Sequence, residues 1–306
     1  MDGVKHEIFN NLEVLLLLMF MLGGIHFVRD FLLFIFSKIL VKVRSHVMIA
    51  FLFCLVGGFL AAFVDALTVL AVIIAVCMGL YRVYHTFICG DAATSRLSDD
   101  HFVPDEYKKD LEDFRAFLRS ILMHAAVGTT IGGVATLVGQ PQNLIVGNVS
   151  GWSFVEFFIR MSPVSLPIFV FGFATCLIVE KLKWFGFGAV MPESVYKVLV
   201  RQDQIYSENL TIRDKLKLTV QACCCIWLVI ALAFHFAAVG LIGLSIIVLA
   251  TTLCGITTEE EVGKAFTESM PFCSLLCVFF VIVTVIAEQG LFIPFIEWVF
   301  SVPREA

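Results

Sequence analysis

One carboxylate stands alone in a long apolar segment of the chain. Asp65 is the only Asp, Glu, Lys, Arg or His in residues 47–80, a run of 34 residues. A charged side chain inside a membrane span costs about 2.5–3.5 kcal/mol on insertion scales, so it needs either a partner or a function. As a functional group, the carboxylate could bind a proton or a hard cation such as sodium, and Thr68 on the same helical face could add a hydroxyl oxygen. As a structural group, it would cap a helix or pair with a cation such as Arg29.

A second segment combines apolar residues with helix breakers and amide side chains. Residues 128–146 read GTTIGGVATLVGQPQNLIV. Irregular backbone at membrane depth is tolerated only where it lines a cavity or is buried in protein. We therefore predict a broken helix whose freed carbonyls and polar side chains form an ion site near the bilayer midplane, as in secondary transporters. The predicted helix-breaking residues are Gly132, Gly133, Gly139 and Pro141, and the predicted ligands are Thr136, Gln140 and Asn143.

Two alternatives apply to this region. A small-residue packing face would explain Gly128 and Gly132, which lie four residues apart, but it would not explain the Gln-Pro-Gln-Asn sequence that follows. His124 precedes the segment, and a single histidine in an apolar run is most often a structural group with a satisfied hydrogen bond. Its other interpretation is a proton relay.

Composition places the chain in a membrane. Hydrophobic residues make up 59% of it and charged residues 15%, with a mean hydropathy of +0.95. Soluble domains are about 45–50% apolar and about 25% charged, so a soluble core could not hide this much apolar surface. We therefore expect an all-α, polytopic protein in the lipid bilayer, with no nucleic acid partner. The ten cysteines form no CxxC motif, so we expect no cofactor and no metal other than a sodium ion at the predicted ion site.

Apolar runs and loop charge predict the topology. Spans are predicted at residues 12–36, 121–149, 163–179 and 270–287, with two further spans in 218–255 that turn at Val239 and Gly240. Residues 47–80 have basic residues on both flanks, including Arg44 and Arg82, and basic loops face the cytoplasm. This segment is therefore predicted to be a re-entrant helical hairpin with its tip near residues 57–64. A single tilted span is the alternative.

Four sequence motifs carry a resemblance to a known family. GVATLVGQPQNLIV, GWSFVEFFIRMSPVSLP, CLIVEKLKWFGFG and AFVDALTV resemble the NhaB-type bacterial sodium/proton antiporters of the ion-transporter superfamily. The resemblance covers nearly the whole chain and implies extrusion of sodium, driven by proton entry, across the bacterial inner membrane. It also implies two inverted repeats, each with a re-entrant hairpin and a broken helix. It assigns the carboxylate to Asp65 and the unwound site to Thr136, Gln140 and Asn143, although the family commonly carries Glu where this chain has Gln140.

The resemblance also implies an organisation of the chain. Residues 1–185 would form the first-repeat transport region, 186–217 a cytoplasmic loop, and 218–306 the start of an inverted second repeat without its own hairpin and broken helix. The chain is therefore expected to be a fragment of a longer transporter, with sodium and protons as partners and a homodimer as an allowed assembly. It is not expected to be an enzyme.

Two other functions remain as alternatives. A sodium-coupled carrier of a small anion would need a cationic cluster at the site, for which only Arg29 is a candidate. An intramembrane hydrolase would need two deep carboxylates, whereas only Asp65 is predicted to lie deep.

Overall fold

The chain folds into helices joined by short turns. The computed structural model describes residues 12–89, 103–234, 236–256 and 258–290, with isolated residues at 5, 9, 293, 294 and 297, and these ranges contain no strand. The helices are α1 (Leu12–His26), α2 (Arg29–Lys42), α3 (His46–Ala61), α4 (Ala66–Cys89), α5 (Asp105–Val134), α6 (Pro141–Ser150), α7 (Phe154–Leu182), α8 (Glu193–Asn209), α9 (Ile212–Ala233), α10 (Val239–Cys254) and α11 (Glu259–Glu288).

Several of these helices are suited to a bilayer. Within the described ranges, α4, α5, α7, α9 and most of α11 are each long and apolar enough to cross a membrane, and α1 and α2 together could add a sixth crossing. The expected class of all-α polytopic membrane protein is therefore confirmed. The two spans predicted within 218–255 are also present as α9 and α10, although the turn between them comes a few residues earlier than Val239.

The first predicted span is not continuous. Residues 12–36 were expected to form one helix, but α1 and α2 meet at an angle of 56°. The bend takes the carbonyl of Phe27 out of the regular helical ladder, and the buried Gln221 side chain on α9 donates a hydrogen bond to it at 2.7 Å. A partner for the freed carbonyl is what makes such a bend tolerable away from water.

The region of the predicted hairpin forms two helices. Residues 62–65 separate α3 from α4, so the segment is not one continuous helix, and the alternative of a single tilted span stays open. The break lies at the end of the predicted tip, but α4 continues to Cys89 and is long enough to cross a membrane by itself. The re-entrant arrangement therefore stays a prediction.

Helices α3 and α5 pack with their backbones in contact. A Cβ atom added to Gly58 of α3 would lie 2.8 Å from the carbonyl oxygen of Gly128 on α5. A Cβ added to Gly132 would lie 2.6 Å from the carbonyl carbon of Gly58. Glycines on both helices thus permit this close approach, as small residues do at helix contacts in membranes. The contact brings the ends of α3 and α5 next to each other.

The later helices pack against the earlier ones. Helices α10 and α11 contact α1, while α8 contacts α2, α4 and α5. Residues 186–217, which were predicted to be a cytoplasmic loop, therefore contain a packed helix with Val195 and Leu199 buried. The limits of the predicted repeats stay predictions.

Candidate ion-binding site

Two helix breaks lie side by side. One separates α3 from α4 at residues 62–65, and the other separates α5 from α6 at residues 135–140. The hydroxyl of Thr136 donates to the carbonyl of Ala62, and the N–H of Ala66 donates to the carbonyl of Gly139 at 3.1 Å. The second break is therefore held against the first by hydrogen bonds in both directions.

Gly139 allows this close approach, but two of the other predicted helix breakers have a different role. A Cβ on Gly139 would lie 2.5 Å from the carbonyl oxygen of Gly133 and 2.8 Å from that of Ala61. Gly132 and Gly133, by contrast, lie inside α5, which continues to Val134. Their assignment as helix breakers is wrong, because their missing side chains serve packing against neighbouring backbone and side chains. Pro141 begins α6, a position where its missing N–H costs no hydrogen bond.

Asp65 sits in the first break, immediately before α4. Its side chain is buried, with 5% of its surface exposed. One carboxylate oxygen, Oδ2, accepts hydrogen bonds from the backbone N–H of Thr68 at 2.9 Å and from the Thr68 hydroxyl at 3.0 Å. Asp65 therefore caps the N-terminus of α4, where the partial positive charge of the helix end favours a carboxylate.

No cation neutralises this carboxylate in the described part of the chain. Within those ranges, no basic side chain forms an ion pair with Asp65, so the alternative of a pair with Arg29 is not what the structure shows. A helix cap alone leaves most of the negative charge without a counterion in an apolar environment. Such a carboxylate is suited to take up a proton or a sodium ion.

Two of the other predicted ligands, Thr136 and Asn143, form hydrogen bonds at the second break. Asn143, in the first turn of α6, donates from its side-chain nitrogen to the carbonyls of Gly133 at 2.9 Å and of Thr136 at 2.7 Å. The Cγ atom of Gln140 lies 3.0 Å from the position that a Cβ on Gly133 would take. The side chains of Thr136 and Asn143 thus act as hydrogen-bond donors here. Their hydroxyl and amide oxygens are the atoms that could bind a cation.

His124 lies outside this site. It is ten residues before the end of α5, which corresponds to about 15 Å along the helix. Its Nε2 atom is 2.9 Å from Oε2 of Glu180 on α7, and both side chains are buried. Glu180 follows directly after the predicted span 163–179, and the packing of α5 on α7 encloses it. The sequence signal was the buried histidine itself, which needs a partner.

The fold and the site together define a class of protein. It is a polytopic α-helical membrane protein in which two helix breaks meet beside a buried carboxylate, an arrangement typical of secondary transporters. Comparison with known proteins then gives the family. The model of the family described as bacterial Na+/H+ antiporter B (NhaB) matches residues 1–306. The chain therefore belongs to the NhaB family.

Individual relatives agree with the family model. The chain is 55% identical over 304 residues to a protein of Tolumonas auensis named Na(+)/H(+) antiporter NhaB, and this match covers 99% of the chain and 58% of the relative. It is 52% identical over 305 residues to the protein of the same name from an Escherichia coli strain, covering 100% of the chain and 60% of the relative. The chain thus spans less than two thirds of the length of these relatives.

Proposed function

We propose that this chain carries an ion-binding region of a sodium/proton antiporter, which extrudes sodium in exchange for entering protons across the bacterial inner membrane. The observation that carries this proposal is the buried carboxylate of Asp65, which lies beside two helix breaks and has no basic partner in the described ranges. The names of the relatives support it, since each is called a Na(+)/H(+) antiporter.

The exchange follows from competition for one carboxylate. A protonated carboxyl group is a poor ligand for a cation, whereas an ionised one attracts sodium, so Asp65 would hold one of the two at a time. The Thr68 hydroxyl lies 3.0 Å from the carboxylate and can turn a lone pair toward a cation. Oxygens of Thr136, Gln140 and Asn143 at the second break would complete the set of ligands, as hard cations prefer.

The two alternative functions have less support. An anion carrier would place basic side chains at the breaks, and none pairs with Asp65 within the described ranges. A hydrolase that uses two carboxylates would need both at one reaction centre. The second buried carboxylate, Glu180, accepts hydrogen bonds from His124 and Ser120 in a separate cluster.

A chimeric transporter tests the role of Asp65. The chain would replace the 305 matching residues of the Escherichia coli relative, and sodium-dependent proton efflux would be followed in everted vesicles with an acid-sensitive dye. We expect Asp65→Asn to abolish the efflux while the protein still accumulates in the membrane. Glu156→Gln is the matched control, because it also removes one carboxylate charge but lies at an exposed ion pair with Arg160. Near-normal efflux from Asp65→Asn beside an active unmutated chimera would contradict the proposal.

A further inference from the structure

A second buried polar cluster joins α3, α5 and α7 away from the ion site. It contains two thiols, Cys54 of α3 and Cys176 of α7, which are 0% and 4% exposed. Their sulfur atoms lie 3.4 Å apart. The Nδ1 atom of His124 on α5 lies 2.9 Å from the sulfur of Cys176. The proposed transport mechanism uses none of these three side chains.

Hydrogen bonding at the far side of the imidazole sets the direction of proton transfer. Glu180 lies 2.9 Å from Nε2 of His124 and also accepts from the hydroxyl of Ser120 at 2.8 Å. An ionised carboxylate only accepts, so Nε2 carries the hydrogen and Nδ1 presents its lone pair to the Cys176 thiol. The thiol proton can pass to Nδ1, and Glu180 then stabilises the imidazolium. This order of thiol, imidazole and carboxylate is the one that activates cysteine as a nucleophile.

We propose that Cys54 and Cys176 form a peroxide-sensitive dithiol that a hydroperoxide converts into an intramolecular disulfide. In the first step, the Cys176 thiolate attacks one oxygen of the hydroperoxide and the O–O bond breaks. The leaving oxygen takes the proton held by His124 and departs as water or an alcohol, while Cys176 is oxidised by two electrons to the sulfenic acid.

In the second step, the neighbouring thiol resolves the sulfenic acid. The sulfur of Cys54 attacks that of Cys176, the S–S bond forms, and the S–O bond breaks. The leaving hydroxide takes the proton of the Cys54 thiol and departs as water, so two thiols and one hydrogen peroxide give one disulfide and two waters. The sulfurs must approach from 3.4 Å to a bond length of about 2.05 Å, which side-chain rotation can supply.

The surroundings of the cluster limit the size of the oxidant. The ring of Phe187 lies on His124, with their centroids 4.7 Å apart, and both thiols are enclosed by protein. A small peroxide should therefore react where a bulky maleimide does not. The disulfide would tie α7 to α3, the helix that ends at the break before Asp65.

Mass spectrometry of the unmodified chain tests the pairing. The purified 306-residue chain in mild detergent would be exposed to graded hydrogen peroxide, unfolded, alkylated and digested. We expect peptides containing Cys54 and Cys176 to become joined with the loss of two hydrogens, and dithiothreitol to separate them. Cys77 is the internal control, since it is a thiol buried to 2% exposure with no histidine ring bonded to it among the described residues. Oxidation of Cys77 at the same rate, or pairing of Cys176 with another cysteine, would overturn the proposal.

Three variants then assign the roles. With Cys54→Ser, the sulfenic acid of Cys176 should persist and be trapped by dimedone when the chain is unfolded in its presence, whereas with Cys176→Ser the Cys54 thiol should stay unmodified. His124→Gln should slow the oxidation of Cys176 by roughly 10²-fold, the usual contribution of a positioned base. An unchanged rate in a folded His124→Gln chain would refute the role of the imidazole. If that variant does not fold, the comparison of Cys176 with Cys77 in the unmodified chain still decides whether this dithiol is selectively reactive.

Discussion

The contact between α3 and α5 makes the fold sensitive to a single methyl group. In Gly132→Ala, the new Cβ would lie 2.6 Å from the carbonyl carbon and 2.7 Å from the Cα of Gly58. Carbon atoms in good contact are about 3.5–4.0 Å apart, so the two helices must separate by roughly 1 Å. Both obstructing atoms belong to the backbone, and no side-chain rotation can relieve the overlap.

The size of the effect follows from two opposing terms. Overpacking of a well-packed core costs about 1–3 kcal/mol, and a clash with backbone belongs at the upper end of that range. Replacing glycine by alanine inside a helix stabilises the helix by about 1 kcal/mol. We therefore expect Gly132→Ala to lower the free energy of unfolding by about 2 kcal/mol, which is roughly a 30-fold change in the unfolding equilibrium constant.

Denaturation of the purified chain in mild detergent, followed by tryptophan fluorescence, would measure this change. Gly79→Ala is the matched control, because Gly79 is also inside a helix but a Cβ there would meet nothing within 4 Å. It should be neutral or slightly stabilising. A second measurement is alkylation of Cys54, which is fully buried on α3 and should react faster once α5 has moved away. If Gly132→Ala were as stable as Gly79→Ala, the backbone contact between the two helices would not exist as described.

Three further predictions concern hydrogen bonds inside the protein. Asn143→Asp removes the amide donor to two backbone carbonyls and should destabilise the chain by about 1–3 kcal/mol in the same denaturation assay. Gln221→Leu removes the donor at the bend between α1 and α2 and should cost a similar amount, whereas Gln204→Leu on the exposed face of α8 should cost little. His124 and Glu180 form a buried pair, and replacing either residue should lower the free energy of unfolding by about 3–5 kcal/mol. A double-mutant cycle should show that the two decreases are not additive. Additive losses in that cycle, or wild-type stability of Asn143→Asp or Gln221→Leu, would contradict the corresponding contacts.

The sequence predicted those parts of the fold where polar or helix-breaking residues interrupt an apolar segment. Asp65 is polar in an apolar run and lies just after the predicted hairpin tip at 57–64, while residues 139–143 combine a glycine, a proline and three amide side chains, so the sequence indicated the neighbourhood of each break. The role of Gly132 could not be located in this way. A glycine in an apolar helix serves equally for a break or for close packing, and only the neighbouring backbone decides between them.

The buried partners were beyond prediction for a different reason. Glu180 lies 56 residues from His124, and Gln221 lies 194 residues from the Phe27 carbonyl that it satisfies. Each residue alone is ordinary for its segment. The pairs arise only when α5 packs on α7 and α9 packs on the bend, so their signal is in the tertiary contacts and not in the spacing along the chain.

The structural and functional interpretations of Asp65 are compatible with each other. As a helix cap, its carboxylate accepts two hydrogen bonds from Thr68 through one oxygen, and an ionised carboxylate accepts these bonds more strongly than a protonated one does. Under the proposed function, protonation would weaken the cap at the start of α4, and sodium would leave the carboxylate ionised and the cap intact. The same break is hydrogen-bonded to the second one, from Thr136 to the carbonyl of Ala62 and from the N–H of Ala66 to the carbonyl of Gly139. A change in occupancy at Asp65 would therefore alter the junction between both pairs of helices, which is how a single carboxylate could couple ion exchange to a conformational step.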